Sequence, residues 1–281
     1  MGGSTNPIYI WLNGPKDDRD SILIKESIKV IDQFPNLRIV NIKLNQKHFS
    51  SGDSIASAIT WIFQNESSAI ILEDDVIPSK QFLKNTNDLL IRYSENLGVG
   101  SILGSNFVPS AFIQNRKFSY RTTDFVSSWG WATWSNRWEL FQFKLDNWTE
   151  YRKTLPESVA SFYGRRKWGA IFRSIQNEKF DAWDYRWQFT SWKYGWVNIV
   201  PNSNLVKNIG FGENATHTTQ KPEWLIEDFS DQVDTLQLVS NSLSVDCTAD
   251  RWMAMNVHPS HNWYWIKTHF DRLLRKSRFK P

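Results

Sequence analysis

The sequence predicts an α/β fold: a mainly parallel central sheet flanked by helices, with a helical segment at the C-terminus. Two observations carry this. From Pro7 to Phe107, apolar strand patterns alternate with amphipathic helical ones, the order that builds parallel βαβ units. No internal repeat or low-complexity linker interrupts the chain. Its 281 residues, 41% hydrophobic, supply ample core for one large domain or two small ones.

The elements follow in order. PIYIWLNG (Pro7–Gly14) is apolar and closes on Asn-Gly, a turn signal, so it predicts the first strand. Ser21–Phe34 carries Ile22, Ile24, Ile28, Val30 and Ile31 at helical spacing. LRIVNIKL (Leu37–Leu44) predicts a second strand. Ser54–Phe63 predicts a second helix through Ile55, Ile59, Trp61 and Ile62. AIILEDD (Ala69–Asp75) predicts the third strand. Ser79 is a helix N-cap for the segment to Leu97, and VGSILGSNF (Val99–Phe107) predicts the fourth strand.

The third strand ends in three carboxylates, Glu73, Asp74 and Asp75. Adjacent like charges repel unless something positive lies among them. In open α/β sheets, ligands bind beyond the carboxyl ends of the strands. NGPK (Asn13–Lys16) is expected at the same edge. Neither a GxGxxG after the first strand nor a GxxxxGK[ST] is present, which argues against a dinucleotide site or a P-loop. A divalent cation bridging carboxylates to a diphosphate is the remaining device, and oxygen ligands suit Mg²⁺ or Mn²⁺. A solvated acidic turn is the plainer alternative.

Composition bounds the rest. Sixteen tryptophans supply flat amphipathic surface for cores or for stacking on sugars and bases. A net charge of +4 fits an anionic small ligand or a membrane surface. The basic residues are scattered among acids, which argues against nucleic acid as a partner. Cys247 is the only cysteine, so no intrachain disulfide forms and a reducing, cytoplasmic compartment is expected. The sequons at Asn65, Asn147 and Asn214 are then chance matches. Met1–Pro7 has no apolar signal core, and no run reaches the length of a membrane span.

With LEDD in place, the chain resembles the GT-A (Rossmann-like) glycosyltransferases, in particular the N-acetylglucosaminyltransferase I type and bacterial surface-polysaccharide enzymes. Three further stretches match in order: SSWGWATW (Ser127–Trp134), WDYRWQFTSWKYG (Trp183–Gly195) and ENATHT (Glu213–Thr218). The resemblance covers Pro7–Thr218. It implies a catalytic domain over 7–218 and an extension over 219–281. It also implies transfer of a hexosyl or N-acetylhexosaminyl group from a nucleotide-diphosphate sugar, UDP-linked, to a saccharide or lipid-linked saccharide acceptor. In its terms Asp75 and His217 bind Mn²⁺ or Mg²⁺, and Asn13, Gly14, Glu73, Asp74, Gly130 and Trp131 hold the donor. Asp184, eleven residues before Gly195, is the catalytic base of an inverting reaction.

The residues support these roles chemically. A departing diphosphate gains charge that a divalent cation stabilises. An acceptor hydroxyl needs a base, and a carboxylate beside Trp183 and Trp187 gains basicity from a dry setting. Side chains alternate along a strand, so Glu73 and Asp75 are expected on one face and Asp74 on the other. Asp181 reads as an N-cap of the helix carrying Asp184. Arg121 and Arg137 are candidate diphosphate partners or plain surface arginines.

Asn262–Pro281 combines Trp263, Tyr264, Trp265, Ile266, Phe270, Leu273 and Leu274 with six Lys and Arg. Such a helix either lies on an anionic membrane at the inner face of the plasma membrane or covers the catalytic core. The rival functions are a nucleotidyltransferase acting on sugar phosphates and a non-catalytic carbohydrate-binding protein. NGPK is a poor phosphate loop for the first, and the βαβ pattern disfavours the second.

Overall fold

The structure is a computed structural model. It describes residues 7–33, 39–114, 116–145, 148–153, 155–211, 221–222, 224–225 and 243–258. The backbone divides into two compact units, Met1–Glu66 with Asp181–Trp183, and Ser67–Phe180 with Asp184–Pro281.

In the first unit, strand β1 (Ile8–Leu12) pairs in parallel with β2 (Ile39–Leu44). Helix α1 (Asp18–Asp32) connects them. It starts at Asp17, whose side chain accepts the amide of Asp20. Helix α2 (Ser51–Ile62) is capped in the same way by Ser50 through Asp53. Its Trp61 ring meets Tyr9 and Trp11 of β1 at 5.4 and 6.0 Å, and Trp11 Nε1 donates to Ser54 Oγ at 3.0 Å. The strand–helix–strand–helix order predicted for this stretch is the order observed.

The second unit is built on a five-stranded sheet. After β3 (Ser68–Ile71) the chain turns into β4 (Val76–Pro78), then helix α3 (Lys80–Tyr93) and β5 (Val99–Leu103). Next come β6 (Tyr120–Thr123), β7 (Trp131–Trp134) and the short α4 (Ser135–Trp138). Helices α5 (Phe162–Gln176) and α6 (Trp183–Lys193), strands β8 (Val197–Pro201) and β9 (Val206–Asn208) and helix α7 (Cys247–Asn256) complete it. The sheet order is β3-β7-β5-β8-β6, and β4 pairs with β9 apart from it.

This sheet is mixed, which corrects the expectation of a mainly parallel one. Only β5–β8 is parallel; β3–β7, β5–β7 and β6–β8 are antiparallel. The cause lies after Leu103, where the regular strand–helix alternation stops. Two segments without a helical crossover between them, β6 and β7, enter the sheet reversed. Half of the tryptophan-rich stretch Ser127–Trp134 is therefore strand.

Side-chain alternation decides what each face of the sheet meets. Trp134 turns toward α3 and donates from Nε1 to Leu90 O at 3.1 Å. Trp131 turns the other way and meets Trp138 and Trp187 of α6. Ile102 of β5 joins the α3 core, whereas its neighbour Ser101 receives Trp187 Nε1 at 2.9 Å. A second core gathers Trp148, Trp168, Phe172, Phe189, Trp192 and Met253 from α5, α6, α7 and the preceding loop. Residues 243–258, assigned by sequence to an extension, thus belong to the unit that holds the sheet.

Arg137, a candidate diphosphate partner by sequence, is instead a buried structural hub. It is only 2% exposed. Its guanidinium donates to the carbonyls of Tyr93, Ser94, Asn96 and Val99 and lies 4.5 Å over the Trp134 ring. These carbonyls end α3 and open β5, groups that a helix terminus leaves without partners. Arg137→Met, which keeps volume and removes the donors, is expected to destabilise the fold by about 3 kcal/mol or more. Urea unfolding measures this; a loss under about 1 kcal/mol would mean that water replaces the guanidinium.

Candidate active site

The acidic run sits in a turn. β3 ends at Ile71, and Glu73–Asp75 link it to β4, closed by Val76 N donating to Glu73 O at 3.1 Å. Strand alternation therefore does not sort these carboxylates. Asp74 is exposed, while Glu73 and Asp75 are partly buried. β9 runs antiparallel to β4 and brings Asn208 opposite Val76. Ile209 N then donates to Asp75 O at 2.8 Å. Gly210 comes so close that a Cβ there would overlap Asp75 Oδ2. A side chain at this position would have to displace the Asp75 carboxylate.

Asp75 is poorly served by the protein. Among the described residues its Oδ1 is buried without a hydrogen-bond partner, and Asn208 Nδ2 lies 3.5 Å from Oδ2. Burial first, then the charge of Asp74, push its carboxyl above the usual range, against the pull of a backbone bond and Asn208. A buried, bare carboxylate oxygen fits a hard cation that takes one or two carboxylates and fills its shell with phosphate oxygens and water. Among the described residues, no group of three His, Cys, Asp or Glu side chains is close enough to hold a metal. His217, the other expected ligand, lies outside the described residues, as does Asn262–Pro281.

The other predicted site residues have distinct fates. Asn13 Oδ1 accepts the amides of Gly14 and Phe49, and its Nδ2 donates to Phe49 O at 2.9 Å. Its amide thus pins two loops of the first unit together, which is a structural use. Gly14 is buried against the Lys47 carbonyl. Trp131 is fully buried, so it offers no face to a sugar. Gly130 has φ +61° and lets the loop pass Val206, where a Cβ would come within 2.7 Å. Asp184 stands in the first turn of α6, partly buried, where the helix dipole favours an acid. Asp181 also serves the first turn of α2: its carboxylate accepts Gly52 N at 2.9 Å. Arg121 is buried and donates to Pro201 O, Asn202 Oδ1 and Asn106 Oδ1.

Sequence reasoning missed the acids that face Arg121. Asp250, in the first turn of α7, is fully buried and accepts Thr123 Oγ1 at 2.5 Å and Asp124 N at 2.7 Å. Asp246 caps α7 through Ala249 N and accepts Gln114 N. Burial drives Asp250 up to about 7 and Asp124 up to about 6. Each is one isolated acid in the chain, and only the fold assembles them. The Asp124 carbonyl is in turn held by Gln188 Nε2 and Trp192 Nε1, which fixes the entry to the Ser127–Gly130 loop.

No family model matches the chain, and no curated protein matches it either. Among the described residues, no helix is long and apolar enough to cross a membrane.

The buried Asp250 gives a pH test. A carboxyl raised in the folded state holds a proton that the unfolded chain has released above about pH 4. Its stabilising contribution is complete below that pH and is lost as pH rises through about 7. Asp250→Asn removes this titration. Between pH 5 and 8 the wild type is expected to lose more stability than the variant in urea unfolding. Parallel losses in the two proteins would show that Asp250 does not titrate in that range.

Proposed function

We propose that this protein is a metal-dependent, inverting glycosyltransferase that moves a sugar from a nucleotide-diphosphate donor to a saccharide acceptor. One observation carries the reading: the Asp75 carboxylate, set in a turn at the carboxyl end of a sheet strand, has a buried oxygen without a hydrogen-bond partner among the described residues. A hard cation is a group that completes such an oxygen.

Asp75 is the anchoring ligand, and Asp74 faces solvent beside it, available to metal-bound water or to a donor hydroxyl. A divalent cation bound here offsets the charge that develops on the leaving diphosphate. Asp184 takes the acceptor hydroxyl proton. The acceptor oxygen then bonds to the anomeric carbon as the bond from that carbon to the diphosphate oxygen breaks. The diphosphate leaves with the electron pair, and configuration inverts. Polysaccharide or lipid-linked glycan synthesis is the setting that suits such an acceptor.

Asp75→Ala is expected to abolish binding of a nucleoside diphosphate in the presence of Mn²⁺, measured by calorimetry, together with turnover. Binding equal to wild type would remove Asp75 from the metal site. Asp184→Asn is expected to leave that binding nearly intact and to cut turnover about 100-fold or more, the scale of a lost general base. Nucleoside diphosphate release from a panel of nucleotide sugars is the assay, and wild-type turnover in the variant would sink the assignment.

A further inference from the structure

The tryptophans divide into two populations. Trp131, Trp134, Trp138 and Trp187 are at most 5% exposed and form core. Trp129 and Trp224 are only partly buried, and so is Phe211. These three rings form one group around Phe107. Phe107 meets Trp129 and Trp224 edge-on, both at 5.0 Å. The two indoles lie 27° from parallel with centroids 6.5 Å apart, and Phe211 stands against the edge of Trp129 at 5.7 Å.

The placement of the group is as informative as its composition. Phe211 directly follows Gly210, the residue whose backbone presses on the Asp75 carboxylate. Trp129 directly precedes Gly130, whose carbonyl accepts Gly104 N at 2.8 Å. Trp129 also packs against both hydrophobic cores while remaining only partly buried. The group is therefore anchored in both cores, and one residue of backbone joins it to the glycine that meets the Asp75 carboxylate.

We infer that Trp129, Trp224 and Phe211 form a stacking platform for a hexopyranose whose ring hydroxyls are mostly equatorial. Such a sugar presents a face of axial C–H groups to an aromatic surface and its hydroxyls to the rim. A nucleobase also stacks on indole, but it lies at the far end of the donor from the anomeric carbon. A platform joined by one residue to the Asp75 contact is assigned to the sugar end. The inference rests on the glycosyltransferase reading and deepens it by assigning the sugar subsite to Trp129 rather than Trp131.

Saturation-transfer NMR on the full chain tests this with methyl β-glucoside, methyl β-galactoside, cellobiose and chitobiose, in the presence of Mn²⁺ and a nucleoside diphosphate. The wild type is expected to saturate the axial C–H protons of at least one of these sugars. Trp224→Ala is expected to cut that signal at least about fivefold and Trp129→Ala to abolish it, while Trp129→Phe keeps a measurable part of it. Calorimetric binding of the nucleoside diphosphate with Mn²⁺ reports separately on Asp75 and on folding. Intact diphosphate binding with no sugar signal in the wild type, or with an undiminished signal in Trp224→Ala, overturns the platform and leaves the glycosyltransferase reading standing. Saturation of the nucleobase protons by these rings overturns it too. Loss of diphosphate binding in the wild type would instead overturn the reading on which the platform rests. If both alanine variants lose diphosphate binding and Trp129→Phe behaves as they do, the rings are structural and the platform is wrong.

Discussion

The second unit turns on one close approach, where Gly104, Gly130 and Val206 meet. Gly104 N donates to Gly130 O, and Leu205 N donates to Gly104 O at 3.0 Å. A Cβ on either glycine would come within 2.8 Å of Val206 Cγ1, and one on Gly104 would also strike Phe82 of α3. Real Cβ contacts do not sit that close in a packed interior. At this point the end of β5, the start of β7 and the start of β9 come together over α3. Because β9 pairs with β4, the same junction sets where Asn208 and Gly210 reach Asp75. Because Gly130 follows Trp129, it also sets where that indole points.

Around the junction, buried polar groups close the backbone accounts that the sheet and helices leave open. Arg137 serves the carbonyls at the end of α3. Asp250 serves an amide and a hydroxyl just past β6, and Asp246 starts the helix that carries it. Gln188 and Trp192 hold the Asp124 carbonyl from α6. Each of these side chains replaces solvent at a place where the chain leaves regular structure inside the fold. Asp75 is the contrast. It lies partly buried in the turn after β3, and among the described residues its Oδ1 has no hydrogen-bond partner.

Much of the architecture was legible because it rests on local rules. Ser79 announced a helix through capping, and the apolar runs of β1, β3 and β5 announced strands. What escaped was long-range. Trp131 and Trp129 are two residues apart in one motif, and nothing local says which is core. Asn13 looked like a ligand-binding turn residue, but its amide is consumed by Phe49, a partner 36 positions away. Arg121 and Arg137 looked like surface charge or phosphate partners, because a buried arginine is rare and its justifying carbonyls are not neighbours in sequence.

By itself, then, the sequence determined the strand–helix alternation up to β5, the Ser79 cap, the acidic run after the apolar part of β3 and an acid in the first turn of α6. These depend on periodicity and on residue chemistry within a few positions. Tertiary structure alone decided the mixed sheet, the burial of Trp131 against the partial exposure of Trp129, the pairing of Asp250 with Thr123 and Asp124, and the pressure of Gly210 on Asp75. Each of these is a contact between segments far apart in the chain. Its energy depends on desolvation and close packing, which exist only once the segments have met.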